Sequence, residues 1–338
     1  MRTVVHIVLL ALLLAGCGKD ANADKEDTKV LFALQLPVGA PMPVTPSDNP
    51  LTDASVRLGK ALFFEARLSR NGSISCASCH HPDRGFSDTL ALSLGVDGLP
   101  GLRNAPSLGN VAYHPSFFRD GGVPTLEQQV LAPIHDELEM DHNINLAAAE
   151  LGDEEPYGSL SMQAYGKPLD AYVITRAIAN YERTLISGWS RSDRFLYQGD
   201  ATALSAAEVR GWQLFSSAEL NCAACHSGFD LTDHDFHNVG QYLDYGNDPG
   251  RERITLQPGD LGKFKTPTLR NIARTGPYMH DGAFGTLDQV IDHFASGGQP
   301  HPNLSPEMRT FVLTEEQKAD LLAFLSALSD DRSLDQVP

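Results

Sequence analysis

The sequence predicts a mainly α-helical protein built from two similar domains in tandem, with long loops between its helices. Three observations predict this fold: capping boxes mark several helix starts, strand signals are weak, and a segment near residue 106 recurs near residue 267. In the repeat, Pro106 and Asn110 align with Pro267 and Asn271, and the register continues without a gap. The chain has 338 residues, 42% of them hydrophobic, which is enough to fill two cores.

The helices follow from their caps and their apolar spacing. Thr52 or Asp53 caps the first helix, and Pro168 opens a longer one with apolar residues spaced for one buried face. Gly297 closes a later helix. Three capping boxes begin the remaining predicted helices, formed by Ser205 with Glu208, Thr286 with Gln289, and Thr314 with Gln317.

The N-terminal residues have the pattern of an export signal. Arg2 precedes an apolar run at residues 4–15 that is too short to span a membrane. The run ends in Leu-Ala-Gly-Cys at Cys17, which resembles a bacterial lipobox and implies lipidation of that cysteine. Alternatively, it is an ordinary secretory signal with a stray cysteine. We expect residues 1–17 to be a lipoprotein signal peptide and residues 18–50 to be a tether followed by an extended proline-rich segment. The protein would then be periplasmic and touch the membrane only through its N-terminal lipid.

Two motifs of the form C-x-x-C-H organise the rest of the chain. They begin at Cys76 and Cys222. Two thiols at this spacing attach to one porphyrin, and the following His offers a ring nitrogen to its iron. A zinc ribbon needs closer cysteine pairs, and a thioredoxin-like redox pair does not explain the His in both motifs. We therefore predict two covalently bound haems c, attached through Cys76, Cys79, Cys222 and Cys225, with His80 and His226 as iron ligands.

Each motif precedes one copy of the repeat. We therefore expect two tandem cytochrome c-like haem domains, at residues 51–165 and, beginning with a linking helix, at residues 166–338. The five cysteines are assigned to one lipid and two haems, so no disulfide is expected. The net charge of −17 argues against a nucleic-acid partner and favours a cationic protein partner, although an acidic solvated surface explains the same charge.

Several further motifs accompany the two haem motifs. They are Leu-Phe-Phe at 62–64, Arg-Asn-Ala-Pro at 103–106, Phe-Arg-Asp-Gly at 118–121, Glu-Leu-Glu-Met at 137–140, Arg-Thr-Leu-Ile at 183–186, Lys-Thr-Pro-Thr-Leu-Arg-Asn at 265–271 and Pro-Tyr-Met-His-Asp-Gly at 277–282. Together with the haem motifs, they resemble the bacterial di-haem cytochrome c peroxidase family and, within it, the MauG-like branch. This resemblance implies that the haem on His80 is peroxidatic and that the haem on His226 passes electrons.

The resemblance also assigns the distal pocket of the first haem. It makes Glu139 the catalytic acid–base carboxylate and places Gln129 and Pro133 in the lining of the same pocket. Read from the residues alone, Glu139 belongs to an acidic run with Asp136 and Glu137, which a solvated surface explains equally well.

A calcium ion between the haems is a further implication of the resemblance. Its ligands would be Asn104 and the carbonyl oxygens of Thr275 and Pro277, and oxygen ligands suit this hard cation. In the repeat His280 aligns with Arg119, which favours a place in the pocket of the second haem over a hydrogen bond within an Asp-Gly turn.

Three positions depart from the family pattern. Val96 stands where many relatives carry a distal His, so the first iron should be five-coordinate or water-ligated, as in the MauG-like branch. Arg119 replaces the Trp that relays electrons between the haems. Phe294 replaces a Met or Tyr ligand of the second iron; the adjacent His293 is a candidate ligand, although one step along a helix turns a side chain by about 100°. The alternative is an open or solvent-ligated second iron.

One polar loop contains His234 and His237 with Asp233 and Asp235, which hints at a metal site. A local polar loop without a metal is the simpler interpretation.

Three functions are compatible with these residues. We expect a peroxidase that reduces hydrogen peroxide with electrons from a small cytochrome c or cupredoxin. The alternative is a MauG-like oxidase that uses a ferryl state to modify a residue of a partner protein, and the absence of a distal His makes it a serious competitor. A non-catalytic electron carrier is the third possibility.

Overall fold

The structure is a computed structural model that describes residues 30–337. The predicted signal peptide, Cys17 and the first part of the tether lie outside this range. Within it the protein is mainly helical, as predicted, and no helix is long and apolar enough to cross a membrane. The helices are α1 (Asp53–Phe63), α2 (Leu126–Gln129), α3 (Leu131–His135), α4 (Ile144–Leu151), α5 (Tyr157–Tyr165), α6 (Ala171–Glu182), α7 (Arg191–Gln198), α8 (Ala206–Phe215), α9 (Glu252–Thr255), α10 (Leu287–Ser296) and α11 (Glu315–Ala327), and the antiparallel strands are β1 (Phe236–His237) and β2 (Phe264–Lys265).

Each half of the molecule is organised around a crossing of two helices, α1 with α6 and α8 with α11. A glycine makes each crossing possible. A Cβ atom on Gly59 would lie 1.9 Å from the carbonyl oxygen of Ala177, and one on Gly211 would lie 2.0 Å from that of Asp320. Because both separations are far below van der Waals contact, any larger residue would push the helices apart.

Two hydrophobic cores form around these crossings. The first includes Phe63 and Ile178, and it also takes in Leu334 from the returning C-terminal segment. The second includes Phe215 and Phe324. Helix α6 thus packs in the first core, although the predicted domain boundary at residue 166 would assign it to the second domain. That boundary stays a prediction.

The predicted helix starts agree with the structure at four caps and differ at one. Helix α6 does not open at Pro168, because the Asp170 side chain accepts a hydrogen bond from the Val173 N–H and caps the helix there. Gly297 ends α10 in the left-handed conformation, as predicted, with φ of 78°. The four confirmed N-caps are Thr52, Ser205, Thr286 and Thr314.

The two copies of the repeat adopt the same backbone. Asn110 and Asn271 both have left-handed φ angles, of 62° and 60°, and each precedes a short 3-10 turn. Gly121 and Gly282 both have φ of 70°. Isolated bridges close the same loop in each copy, between Phe117 and Val123 and between Tyr278 and Phe284. The repeat register read from the sequence is therefore the structural register as well.

Candidate haem sites and the residues around them

Both C-x-x-C-H motifs form the same single 3-10 turn. The His80 N–H donates to the Cys76 carbonyl at 2.9 Å, and the His226 N–H donates to the Cys222 carbonyl at 3.0 Å. All four cysteines are half-buried free thiols. Each turn therefore holds two thiols and one imidazole close together, as attachment of a haem c requires.

The two histidines of the motifs are oriented by backbone carbonyls. Nδ1 lies 2.9 Å from the Phe86 carbonyl oxygen in His80 and 3.1 Å from the Leu231 carbonyl oxygen in His226. Because a carbonyl only accepts, we assign the ring proton to Nδ1, which leaves the Nε2 lone pair free for iron. Burial lowers the pKa of both imidazoles and keeps them neutral. The residues present thus fit two haems c.

Glu139 lies in the loop after α3, and its N–H donates to the Asp136 carbonyl at 3.0 Å. Although the residue is exposed to solvent, the protein atoms packed around its carboxyl desolvate it and raise its pKa to about 7, with a contribution from the charge of Asp136. Burial raises the pKa of the Cys79 thiol to about 11, and the charges of Asp88 and Glu139 raise it further. Glu139 therefore lies within electrostatic range of the first haem motif.

The position where relatives carry a distal His is packed against the backbone next to Glu139. The Val96 N–H donates to the Glu139 carbonyl at 2.7 Å. A Cβ atom on the preceding Gly95 would lie 2.0 Å from the Leu138 carbonyl oxygen. Val96 itself is only 8% exposed. The loop thus supports the segment that carries Glu139, and the Val96 side chain has no atom that binds iron.

Gln129 and Pro133 precede Glu139 on the short helices α2 and α3. Gln129 is the last residue of α2 and is half-buried. The Pro133 carbonyl accepts a hydrogen bond from the Met140 N–H at 3.0 Å, which ties α3 to the loop of Glu139. All three predicted pocket residues therefore belong to one connected segment.

His293 and Phe294 lie near the end of α10. His293 Nε2 is 2.9 Å from the Val239 carbonyl oxygen. This contact engages the ring nitrogen that commonly faces a metal and turns it toward the backbone. The arrangement therefore counts against the predicted ligation of the second iron by His293, and Phe294 has no donor atom.

His280 is buried between the two halves. Its ring stacks on Phe264 with centroids 3.8 Å apart, and its Nδ1 lies 3.0 Å from Gln241 Oε1. Burial lowers its pKa to about 4. Its carbonyl accepts the Asn104 N–H at 2.9 Å. These contacts are those of a packing residue, and a role beside the second haem stays a prediction.

Arg119 engages the residue predicted to hold calcium. Its Nε donates to the Asn104 carbonyl at 3.1 Å, and its terminal nitrogen donates to Asn104 Oδ1 at 2.6 Å. Burial lowers the pKa of Arg119 to about 10, and the charge of Arg103 adds to the shift. A divalent cation on the same oxygens would lie beside this guanidinium charge. The residues therefore do not fit the predicted calcium ion, whose other ligands were Thr275 and Pro277.

The structure separates the two histidines of the polar loop. His237 Nε2 lies 2.9 Å from Asp233 Oδ2, within the loop. His234 instead faces the buried Asp230, with its Nε2 3.9 Å from Asp230 Oδ2. The structure therefore does not bring both histidines together with Asp233 and Asp235, since their rings point to different partners.

Glu182 is a candidate functional residue that was not identified from the sequence. It is 4% exposed, its Oε2 has no hydrogen-bond partner, and burial raises its pKa to about 8. Burial raises the pKa of the Cys76 thiol, and the charge of Glu182 contributes to that shift. The helical spacing indicates that Glu182 is buried, because it follows Ile178 by four residues and shares the buried face of α6.

Comparisons with known proteins agree with this geometry. The family described as Di-haem cytochrome c peroxidase matches residues 53–202, and the family described as Cytochrome c matches residues 208–329. Methylamine utilization protein MauG of Methylorubrum extorquens is 38% identical, over 100% of this chain and 99% of its own length. Cytochrome-c peroxidase IdrP1 of Denitromonas iodatirespirans is 34% identical, over 96% of this chain and 93% of its own length.

The fold has a similar solved counterpart. The crystal structure of a MauG-like protein associated with microbial copper homeostasis superposes with a TM-score of 0.85 at 34% identity. The match covers 91% of this chain and 98% of the other. Both halves of the chain are thus matched in sequence and in structure.

Proposed function

This chain belongs to the di-haem cytochrome c peroxidase and MauG family, and on that premise we propose that it reduces hydrogen peroxide with electrons from a small redox protein. One observation carries the proposal: the Glu139 carboxyl, with a pKa of about 7, lies within electrostatic range of the Cys79 thiol in the first haem motif. Val96 has no atom that binds iron, so we expect the first iron to lack a distal protein ligand. When bound, the two haems supply the irons that take up peroxide and transfer electrons.

Glu139 is the proton carrier of the proposed reaction. Near its pKa the carboxyl is about half ionised, so it can both accept and donate a proton. As a carboxylate it would take the proton from one oxygen of hydrogen peroxide and return it to the other, so that this oxygen leaves as water when the O–O bond breaks. Two electrons from the redox donor, passed through the haems, and two further protons from solvent would convert the remaining oxygen to a second water. Such acid–base assistance contributes about 10²–10⁴-fold to a rate. Gln129 and Pro133 would limit the space beside it and orient the peroxide.

The second half supplies the electrons in this proposal. Cys222, Cys225 and His226 hold its haem, and the cationic donor docks on a protein whose net charge is −17. A small cytochrome c or a cupredoxin is the proposed donor. Because an arginine side chain is not oxidised, Arg119 does not relay electrons, and they pass between the halves by other groups or directly between the haems.

The proposed location is the periplasm. The export signal and Cys17 support a lipid-anchored form. A calcium ion is left out of the proposal, because Arg119 already occupies the oxygens of Asn104.

A second candidate is a MauG-like oxidase that modifies a residue of a partner protein. Two observations favour it: Val96 stands in place of a distal His, and the MauG relative is 38% identical over the whole chain. In this reaction Glu139 would keep its proton-transfer role, and the electrons would come from a side chain of the partner instead of a soluble donor.

The test is turnover of hydrogen peroxide with a reduced small cytochrome c by the di-haem protein. The proposal expects steady oxidation of the cytochrome that falls about 10²-fold or more in Glu139→Gln. Oxidation that proceeds equally well in Glu139→Gln would contradict it. If the wild type oxidises no small donor but leaves a mass change on a co-purified protein, the oxidase is the function.

A further inference from the structure

Two histidines and one aspartate meet at one place between the two halves, and each has a buried polar atom without a hydrogen-bond partner. Among residues 30–337, seven buried side-chain nitrogen or oxygen atoms lack a partner, and three of them are His114 Nε2, Asp230 Oδ2 and His234 Nδ1. His114 comes from the first half, and the other two residues follow the second haem motif. Since a buried polar atom without a partner is unfavourable, this cluster indicates a ligand.

The distances within the cluster suit a metal ion better than hydrogen bonds. His114 Nε2 lies 3.7 Å from Asp230 Oδ2, and His234 Nε2 lies 3.9 Å from the same oxygen. Both distances are too long for a hydrogen bond. Two atoms bound tetrahedrally at about 2.1 Å from one ion are about 3.4 Å apart. The candidate ligand atoms of the three residues all lie within 4.8 Å of one another, so they would have to move closer together to bind an ion.

The surrounding residues hold the carboxylate for this role. Asp230 is 5% exposed, and its other oxygen, Oδ1, accepts hydrogen bonds from Asn110 Nδ2 at 2.8 Å and from Thr268 Oγ1 at 3.2 Å. Oδ2 is thereby left facing the two imidazoles. The two rings are 5.1 Å apart between centroids, with their planes inclined by 60°. Outer contacts of this kind orient the ligands of protein metal sites.

The groups near the cluster include the two imidazoles and the ammonium group of Lys265. Burial lowers the pKa of both imidazoles, so they are neutral and can offer lone pairs. Lys265 Nζ lies 3.4 Å from His114 Nδ1 and donates to the Ser116 carbonyl. Its ammonium group therefore lies beside the Nδ1 nitrogen of His114, whereas the Nε2 nitrogen of the same ring faces Asp230.

We propose that His114, Asp230 and His234 bind one divalent transition-metal ion of the zinc class, in addition to the two haem irons. Two imidazoles and one carboxylate are the ligand set of open zinc sites, with a solvent molecule in the fourth position. The ion would link the two halves of the molecule, because its ligands come from both. The proposal does not depend on the reaction proposed above.

The metal content of the full-length di-haem protein tests the proposal. After chelation, exposure to zinc and desalting, elemental analysis should find about one zinc per chain besides the haem iron. The double variant His114→Ala/His234→Ala should lose it. His142→Ala is the matched control, because His142 Nε2 is also buried without a partner but lies outside the cluster. Zinc that is absent from the wild type, or equal in the wild type and the double variant, overturns the proposal.

A second variant and an X-ray absorption spectrum distinguish loss of the zinc site from a folding defect. Asp230→Asn keeps the size of the side chain and should weaken zinc binding about 100-fold while the haem spectrum stays unchanged. Zinc-edge X-ray absorption should show nitrogen and oxygen neighbours with imidazole scattering. A sulfur neighbour would contradict the assignment, because the cluster of His114, Asp230 and His234 contains no sulfur.

Discussion

Helix α1 crosses α6 in the first half of the molecule as α8 crosses α11 in the second, and in both crossings a glycine lies against a carbonyl of the opposing helix. The haem motifs form the same turn, and backbone carbonyls orient both histidines. The halves differ in the residues that we propose on the other side of each haem. The first has Glu139 with a pKa of about 7, whereas the second has Phe294 and a His293 bound to backbone.

The comparison distinguishes the residues proposed to attach a haem from the residues proposed to determine its chemistry. The shared crossing, turn and histidine orientation serve attachment and are kept in both halves. The proposed distal segments differ between the halves, and only the first contains an acid–base group whose pKa is near 7.

The largest effect is expected at the shared helix crossings. Gly59→Ala and Gly211→Ala place a Cβ within 2.0 Å of a backbone carbonyl, so each should lower the free energy of unfolding by about 3 kcal/mol or more. Chemical denaturation followed by haem absorbance measures both. In Gly259→Ala, where the added Cβ meets no atom within 4 Å, the free energy of unfolding should fall by less than about 0.5 kcal/mol. Equal stability in all three variants would show that the crossings are not as tight as described.

The next effect concerns the distal carboxylate. Glu139→Gln keeps the size of the side chain but removes the proton carrier, so peroxide turnover should fall about 10²-fold or more while haem content is unchanged. Steady-state oxidation of a small cytochrome c measures it. Glu137→Gln is the control, because Glu137 is an exposed neighbour in the same run, and it should keep activity within about twofold. If both variants lost activity equally, a general loss of acidic surface would explain the result.

A smaller effect is expected in the pH dependence. Because Glu139 must be ionised to accept a proton, activity should rise with pH through about 7. Asp136→Asn removes a negative charge that raises this pKa, so the midpoint of the profile should move to lower pH. The pH profile of kcat/KM measures the shift. A midpoint that stays in place or moves to higher pH would mean that another group controls the profile.

The smallest effect is expected in the response of the melting temperature to calcium, compared at positions 119 and 280, which align in the repeat. In the wild type, added calcium should leave the melting temperature unchanged, because Arg119 occupies the oxygens of Asn104. Arg119→Ala frees these oxygens, so calcium should then raise the melting temperature by about 2 °C. His280→Ala is the matched control and should show no response. If calcium raised the melting temperature of the wild type, the predicted calcium site at Asn104 would be supported and the proposed effect of Arg119 contradicted.

The features that could be predicted from the sequence depend on neighbouring residues. The caps at Ser205, Thr286 and Thr314 are hydrogen bonds within one helical turn, and the haem motifs are five residues long. The start of α6 was missed because the side chain of Asp170 provides a cap that the apolar spacing does not reveal. Repeat alignment succeeded because both copies fold alike.

The features that could not be predicted depend on how distant segments pack. The pKa of Glu139 is set by the atoms around its carboxyl, and the contact of Arg119 with Asn104 depends on side-chain direction. His114 and Asp230 are far apart in the sequence and meet only because the two halves dock. Local patterns contain no information on such contacts.

The division of tasks between the two halves is tested most directly by electron paramagnetic resonance of the ferric di-haem protein before and after addition of hydrogen peroxide. The account predicts that one haem is high-spin, with an open iron, and that its signal disappears on addition of peroxide in the wild type. The reaction should be slowed about 10²-fold in Glu139→Gln. Two low-spin irons, each bound by protein on both sides and unresponsive to peroxide, would contradict the account.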